Sequence, residues 1–200
     1  MKSAIKELEI YYDNVRLAKS TLSTYTLYQK KFLNYLSEVM ETELHDVYLD
    51  KVYLISDSSG NVIRYLPIDS EIIDKYFSNI KHKGFNVLKD NYKSLTSFFK
   101  FLEHNYNFVN PMLTLEFKLK DYLVEKKYFK VLTRGDILKF LNAIHNHSNN
   151  LERDVNLFLI LLSTGCRISE VLKLKCGDID ENNDTLFFSK TKTKVERMFF

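Results

Sequence analysis

Cysteine is scarce in this chain, and the side chains that usually bind metals are scattered. Cys166 and Cys176 are the two cysteines; they have no CxxC spacing, and the N-terminus carries no secretory signal pattern. We therefore predict reduced, buried thiols in a cytoplasmic protein. Among the five histidines, His145 and His147 are two positions apart and would point to different faces of a helix. We predict no metal site and no cofactor.

Long hydrophobic runs and a strong charge of one sign are also missing. No apolar run approaches the roughly 20 residues that a membrane helix needs, so we predict no membrane contact. The 29 Lys and Arg against 26 Asp and Glu give a formal charge of +3, which is weak evidence for nucleic-acid binding. With 45% hydrophobic and 28% charged residues, the 200-residue chain has the composition of a globular protein with one large or two small domains.

The most informative stretch begins with residues 157–162, which are apolar on every face and predict a core helix buried on all sides. Thr164 and Gly165 interrupt this helix, and Arg167 opens a new one beside the core. A guanidinium there needs an anionic partner, either Glu170 one turn further on or a ligand phosphate at the helix N-terminus. The octapeptide 163–170 alone leaves a buried ion pair and a phosphate site equally open.

A strand, a basic turn and a second strand follow, with Lys190, Lys192 and Lys194 at the turn. Together these features resemble the tyrosine recombinases, or phage-type integrases, whose pattern is Thr-Gly-x-Arg-x-x-Glu, a Leu-x-Leu helix end, an Asp-Ile-Asp strand entry and a hairpin with a catalytic lysine. Twenty-five positions separate Arg167 from Lys192, about the family's spacing. The matching residues are Thr164, Gly165, Arg167, Glu170, Leu172, Leu174, Asp178, Ile179, Asp180, Lys192 and Arg197.

The resemblance implies a mainly α fold with small β-hairpins (α+β), in which a helical SAM-like core-binding domain precedes a truncated catalytic domain. It also implies metal-free transesterification of a DNA phosphodiester. Arg167 would bind the phosphate, Glu170 would orient Arg167, and Lys192 would protonate the leaving 5′ oxygen. Lys190 and Lys194 are rivals for that role and candidate DNA contacts, because turn register is not fixed by sequence.

In the family, a His-x-x-Arg element, a later His or Trp and the nucleophilic Tyr lie C-terminal to the hairpin, whereas this chain stops at Phe200. We therefore expect these 200 residues alone to be inactive, with a half-covered core and exposed hydrophobic surface in the second domain. The alternative is a non-catalytic helical DNA-binding or interaction protein derived from a recombinase. Double-stranded DNA and other recombinase protomers are the expected partners, and a mobile element is the expected setting.

The N-terminal part predicts a helical DNA-binding domain over residues 1–110. Its second helix should start after a Ser23 N-cap and carry an aromatic face, with Lys30 opposite that face and Lys31 at its flank. Leu-Ser-x-x-Thr and the later aromatic pattern resemble the family's core-binding domain. Residues 46–66 depart from it and predict an inserted β-hairpin, either a decoration on the solvent side or a partner contact.

A last N-terminal helix, capped by Asn86, should bury a stripe of Leu88, Tyr92, Leu95, Phe99 and Leu102. Across from the stripe run the candidate DNA contacts Lys89, Lys93, Ser97 and Lys100. Residues 111–131 lose this periodicity and predict a basic linker. Thr133, with Asp136 at the capping-box position, predicts the start of a helix in the partial catalytic domain, residues 132–200.

Overall fold

Helices make up most of the chain, which a computed structural model describes over residues 1–123, 131–188 and 197–199. The chain forms two units, a first unit of Met1–Lys126 and a second unit of Lys127–Phe200. Each unit carries one small antiparallel sheet, of two and three strands. This arrangement confirms the predicted α+β class. No helix in these described ranges is both long enough and apolar enough to cross a membrane.

Four helices and a β-hairpin build the first unit. The elements are α1 (Ala4–Asn14), α2 (Lys19–Val39), β1 (Tyr53–Ser56), β2 (Val62–Leu66), α3 (Ser70–Ile80) and α4 (Phe85–Tyr106). Short 3-10 turns lie at Leu44–Asp46, Lys81–Lys83, Pro111–Leu113 and Leu119–Tyr122. The β-hairpin, which we predicted over residues 46–66, thus occupies 53–66.

Helix α2 begins one turn earlier than predicted. The backbone N–H of Leu22 already donates to the carbonyl of Ala18 at 2.9 Å, so Ser23 is an exposed residue inside the helix. The predicted cap at Ser23 is wrong, because a serine that could cap does not stop a helix whose preceding turn also closes its hydrogen bonds. Helix α4 likewise starts at Phe85, after Gly84 at φ +87°, and not after Asn86.

The core of the first unit is rich in aromatic rings that meet edge to face. Phe32 packs against Tyr76 and Phe99, with ring centroids 5.1 and 6.2 Å apart. Such edge-to-face pairs add to the gain from burial alone. The predicted stripe of α4 forms one side of this core. Leu88, Leu95, Phe99 and Leu102 are each 0% exposed, and Tyr92 packs at the margin.

Residues 111–122 pack on the first unit, although they carry the charge and irregular pattern that predicted a linker. Phe117 stacks on Phe77 with ring centroids 4.2 Å apart. The carboxylate of Asp74 accepts hydrogen bonds from the backbone N–H groups of Glu116 and Phe117, at 3.1 and 2.9 Å. We therefore propose that the first domain reaches Tyr122, which shortens the connection predicted for 111–131. Residues 124–130 of that connection lie outside the described residues.

The second unit contains three helices and a three-stranded antiparallel sheet of order β3-β4-β5. The elements are α5 (Arg134–His147), α6 (Leu151–Thr164), α7 (Ile168–Val171), β3 (Ile179–Asp180), β4 (Thr185–Phe188) and β5 (Arg197–Phe199). The capping box predicted for Thr133 is present. Its hydroxyl accepts from the backbone N–H of Asp136 at 3.2 Å, and the Asp136 carboxylate accepts from that of Thr133 at 3.1 Å.

Two predictions for the second unit are wrong. Helix α6 is not buried on all sides, since Leu159 is 48% and Leu162 43% exposed. Within the described part of this unit, α5 and α7 contact α6 and leave these leucines uncovered. Cys166 is buried as expected, whereas Cys176 is exposed, because it begins a short surface turn between α7 and β3.

Candidate active site and nucleic-acid interface

Arg167 stands at a sharp connection between two helices. Gly165 ends α6 with φ +61°, a left-handed conformation that favours glycine, and its N–H donates to the carbonyl of Leu161 at 3.0 Å. The Thr164 hydroxyl then accepts from the N–H of Cys166 at 3.2 Å. Arg167 follows in extended conformation and immediately precedes α7. The Thr-Gly-Cys-Arg sequence thus places this arginine at the start of a helix, as predicted.

Glu170 holds both the backbone and the side chain of Arg167. One carboxylate oxygen, Oε2, accepts from the Arg167 backbone N–H at 3.1 Å, and Oε1 accepts from Nη1 of the guanidinium at 2.9 Å. The Glu170 side chain is only 3% exposed. A buried carboxylate is costly unless it is paired and hydrogen-bonded, and Arg167 meets both conditions. Glu170 therefore fixes the direction in which the guanidinium points.

The guanidinium of Arg167 also reaches solvent. Its side chain is 47% exposed, so the pairing with Glu170 does not seal it into the core. Arginine carries five N–H donors in a planar fork, and the hydrogen bond to Oε1 engages one of them. The ion pair, one of the two alternatives from sequence, is thus present, and the phosphate site stays a prediction. A carboxylate holds one edge of the guanidinium while a solvent-facing part is open to an anion such as a phosphate.

A small pocket of about 120 Å³ adjoins Glu170. Lys173 and Lys175 line it, together with Asp178 and Phe187. Neither lysine was a sequence candidate, because both lie outside the family pattern. Only their spacing from Glu170, three and five positions, could have drawn attention to them.

The hairpin lysines Lys190, Lys192 and Lys194 lie outside the described residues. The strands on either side of them are described, and β4 pairs with β5 in antiparallel register, with Phe188 opposite Arg197. The predicted strand–turn–strand order is therefore present in its strands. The approach of Lys192 to Arg167 stays a prediction.

The predicted DNA contacts of the first unit fall into two groups. Lys30, Lys31, Lys93 and Lys100 are exposed, and Lys89 is half-buried with its Nζ 5.8 Å from the centre of the Phe85 ring. Ser97 differs from them, because its hydroxyl is 2.7 Å from the Tyr11 hydroxyl and joins α4 to α1. Ser97 therefore has a packing role and is left out of the DNA-binding set that we propose below.

Helices α2 and α4 run in the same direction through the first unit. The Gln29 amide donates to the carbonyl of Ser94 at 2.9 Å, and further along both helices Phe32 meets Phe99. The two helices therefore lie side by side. The exposed Lys30 and Lys31 lie just past the middle of α2, and Lys89 and Lys93 lie in the first half of α4. On α4, Lys89, Lys93 and Lys100 share one face within about 40° at 3.6 residues per turn.

The part of the chain that the structure describes contains no cluster of three His, Cys, Asp or Glu side chains that could hold a metal ion. The candidate sites therefore consist of arginine, lysine and glutamate side chains.

Known proteins resemble this chain in both sequence and fold. The model of the phage integrase family matches residues 130–199. Over 135 residues the chain is 30% identical to tyrosine recombinase XerH of Campylobacter jejuni subsp. jejuni, which covers 64% of this chain and 38% of that relative. The integrase of transposon Tn1549 in complex with circular intermediate DNA has a TM-score of 0.60 at 18% identity, covering all of this chain and 59% of the other. The same integrase with transposon right end DNA gives 0.58 at 19% identity, covering all of this chain and 57% of the other.

The chain is similar to a tyrosine recombinase in sequence and to an integrase in fold, and its match to the phage integrase family lies in the second unit. It spans well under two thirds of the length of the relatives that it matches.

Proposed function

We propose that this chain takes part in site-specific DNA recombination or integration of the tyrosine recombinase type. It would bind duplex DNA and supply part of the active site for strand transfer. The observation that carries this proposal is the Arg167–Glu170 pair, in which a buried carboxylate holds an exposed guanidinium at a helix start. The match to the phage integrase family model and the similar structures solved with DNA support it.

Arg167 would stabilise the phosphate that undergoes transesterification. Its planar fork can bind two non-bridging oxygens and offset the charge that develops on them in the transition state. Glu170 would act as a positioning residue, since it touches Arg167 and is shielded from solvent. Lys192 would give its proton to the leaving 5′ oxygen as the nucleophile attacks phosphorus, with Lys190 and Lys194 as rivals. The proposal assigns no residue of this sequence as the nucleophilic tyrosine.

The first unit would bind the DNA backbone with Lys30, Lys31, Lys89, Lys93 and Lys100. Lysines that neutralise phosphates release condensed counterions, which makes such binding strongly dependent on salt. We further propose that the protein acts in the cytoplasm, on a mobile element, and together with other recombinase protomers on DNA.

A mobility-shift titration of duplex DNA at increasing salt tests the DNA-binding part of this proposal. The logarithm of the association constant should fall linearly with the logarithm of salt concentration. Replacing Lys89, Lys93 and Lys100 together by Gln should flatten this slope by about 3, at roughly 0.9 per lost phosphate contact. Arg167→Ala should change the affinity by only about 2-fold, as expected for a residue that acts mainly in the transition state. A folded protein with no affinity for duplex DNA, or with binding that ignores salt, would overturn the proposal.

Strand cleavage separates the recombinase from a DNA-binding protein without chemistry. The assay needs a protein in which these residues are joined to a nucleophilic tyrosine, and it measures covalent protein–DNA product on a nicked substrate. We expect Arg167→Ala to lower the rate at which that product forms by at least about 100-fold, the loss typical of a transition-state contact. Cleavage that does not depend on Arg167 would contradict the assigned role.

A further inference from the structure

A groove in the first unit lies between α2, the end of α3 and the start of α4. It has a volume of about 370 Å³ and opens to solvent. Helix α2 contributes Tyr28, Lys31 and Asn34 to one wall, and the turn before α4 contributes Lys83. Lys83 was not predicted from sequence, because it belongs to a three-residue basic turn, Lys81–Lys83, that merely ends the preceding helix.

Two buried polar side chains, Tyr76 and Asn91, form the bottom of the groove. The Tyr76 hydroxyl donates to Oδ1 of Asn91 at 2.6 Å, and the Asn91 amide donates to the carbonyl of Val87 at 2.8 Å. Tyr76 is 4% and Asn91 1% exposed. Burial raises the pKa of the Tyr76 hydroxyl, so this group stays neutral at physiological pH. The bottom of the groove is therefore preformed, with its polar groups already paired.

Three charged side chains line the groove, two lysines and one glutamate. In residues 1–123, neither Lys31 nor Lys83 forms a salt bridge, whereas Lys75 on α3 is paired with Glu71 at 2.7 Å. Glu38 lines the same groove seven positions after Lys31 on α2, about 10 Å further along the helix. Lys31 and Lys83 thus give the groove two positive charges that attract an anion, and Glu38 repels an anion about 10 Å along α2 from Lys31.

The neutral side chains suit a phosphate better than a stacked base. The ammonium of Lys31 already lies 5.4 Å from the centre of the Tyr28 ring, and the Tyr35 ring packs against Tyr76 at 5.2 Å. The exposed amides of Asn34 and Asn79 offer hydrogen bonds. Lysine, asparagine and tyrosine are the residue types that contact phosphate oxygens in protein–DNA complexes.

We propose that this groove holds one backbone phosphate of the bound DNA strand, shared between Lys31 and Lys83, and that Glu38 marks the end of the phosphate path. The proposal rests on the duplex binding proposed above. It adds a defined contact between the two lysines, whereas the lysines of α4 present a row of charges on a single helix face.

The salt dependence of duplex binding tests whether the phosphate is shared. Lys31→Gln with Lys83→Gln should flatten the logarithmic salt slope by about 1, the value for one lost phosphate contact. If each lysine held its own phosphate, the salt slope would flatten by about 2, and the proposal that the two lysines share one phosphate would be wrong. The matched control is Lys2→Gln with Lys6→Gln, two exposed lysines at the start of α1. Circular dichroism of each double variant confirms that it is folded.

Glu38→Gln provides an independent test with the opposite sign. Removing a carboxylate about 10 Å from the phosphate should tighten binding by roughly 2-fold at low salt, and less at 0.15 M salt, where charges are screened. If wild-type binding depends on salt but the Lys31 and Lys83 double variant has the same salt slope as the Lys2 and Lys6 control, the groove is not a phosphate site. The proposed DNA binding would still stand. Wild-type protein without salt-dependent binding would overturn the proposed function itself.

Discussion

Leu33 and Leu159 are both leucines in the interior of long helices, yet Leu33 in the first unit is 1% exposed and Leu159 in the second is 48% exposed. The difference extends to whole cores. Among the described residues, twenty-one buried apolar side chains form one cluster in the first unit, and three, Cys166, Val171 and Phe188, form the cluster in the second. Burial of apolar surface is the main favourable term in folding. The first unit therefore has its own source of stability, whereas the second depends more on caps, turns and ion pairs.

This contrast assigns different tasks to the two units. The first unit holds its helices rigidly, so that lysines on α2 and α4 keep fixed positions relative to one another. In the second unit the proposed phosphate-binding Arg167 and its partner Glu170 lie at a helix start, where a few hydrogen bonds fix them. Mutations should therefore act through lost packing in the first unit and through lost polar contacts in the second.

The largest difference should come from removing the same side chain in each unit. Leu33→Ala leaves a cavity in a closed core and should lower the free energy of unfolding by about 2–5 kcal/mol, whereas Leu159→Ala should cost less than about 1 kcal/mol. Urea denaturation followed by circular dichroism measures both, with hydrogen exchange locating the loss. Equal costs would mean that Leu159 is covered in solution.

A buried carboxylate occurs in each unit and gives the next comparison. Glu170→Gln weakens a charge-assisted pair with Arg167 and should cost the second unit about 1–3 kcal/mol. Glu7 of α1 is 0% exposed, but it accepts from the neutral backbone N–H of Lys2 at 2.8 Å, so Glu7→Gln should cost less than about 1 kcal/mol. Protection of amides against hydrogen exchange in α7 and α1 reports each loss. A larger effect of Glu7→Gln would contradict this order.

Helix caps should show a smaller effect. Thr133→Ala removes one half of the capping box of α5 and should cost about 1 kcal/mol. Ser23→Ala should change stability by no more than about 0.5 kcal/mol, because Ser23 is exposed inside α2 and does not cap it. Thermal unfolding of both variants distinguishes them. A cost of Ser23→Ala similar to that of Thr133→Ala would restore Ser23 as a cap.

The smallest expected effect is on the acid side of the stability curve. In the β1–β2 turn, hydrogen bonds from the backbone and side chain of Asn61 and from the Ser59 backbone lower the pKa of Asp57. At the end of β3, hydrogen bonds from Asn183 and Asn182 lower the pKa of Asp180. A lowered folded-state pKa stabilises the protein above the unfolded value of about 4, and this contribution is lost as pH falls through the folded value. Asp57→Asn and Asp180→Asn should each flatten the loss of stability as the pH falls below about 4. Denaturation at a series of pH values measures the change. If the free energy of unfolding falls with pH in the variants as it does in the wild type, these two carboxylates do not cause the loss of stability in acid.

Local signals in the sequence were sufficient where neighbouring residues decide the structure. The buried stripe of α4 follows from helical periodicity, and the capping box at Thr133 from two residues three positions apart. The contact between Arg167 and Glu170 follows in the same way, since residues three apart on a helix start lie close together.

Tertiary contacts explain what the sequence did not show. An apolar run such as residues 157–162 indicates a helix but not what covers it, so the exposure of Leu159 was not predicted. Phe117 lies in a charged segment without periodicity, and its stacking on Phe77 depends on a partner 40 positions away. Lys83 was missed for the same reason, since only the fold brings it to the groove that Lys31 lines.

The two oxygens of Glu170 contact different parts of one residue. Because Oε2 accepts from the main chain of residue 167, this contact is available whichever side chain is present there. The start of α7 should therefore remain capped when the arginine is exchanged. An exchange of Arg167 should thus remove the guanidinium while the local backbone stays in place.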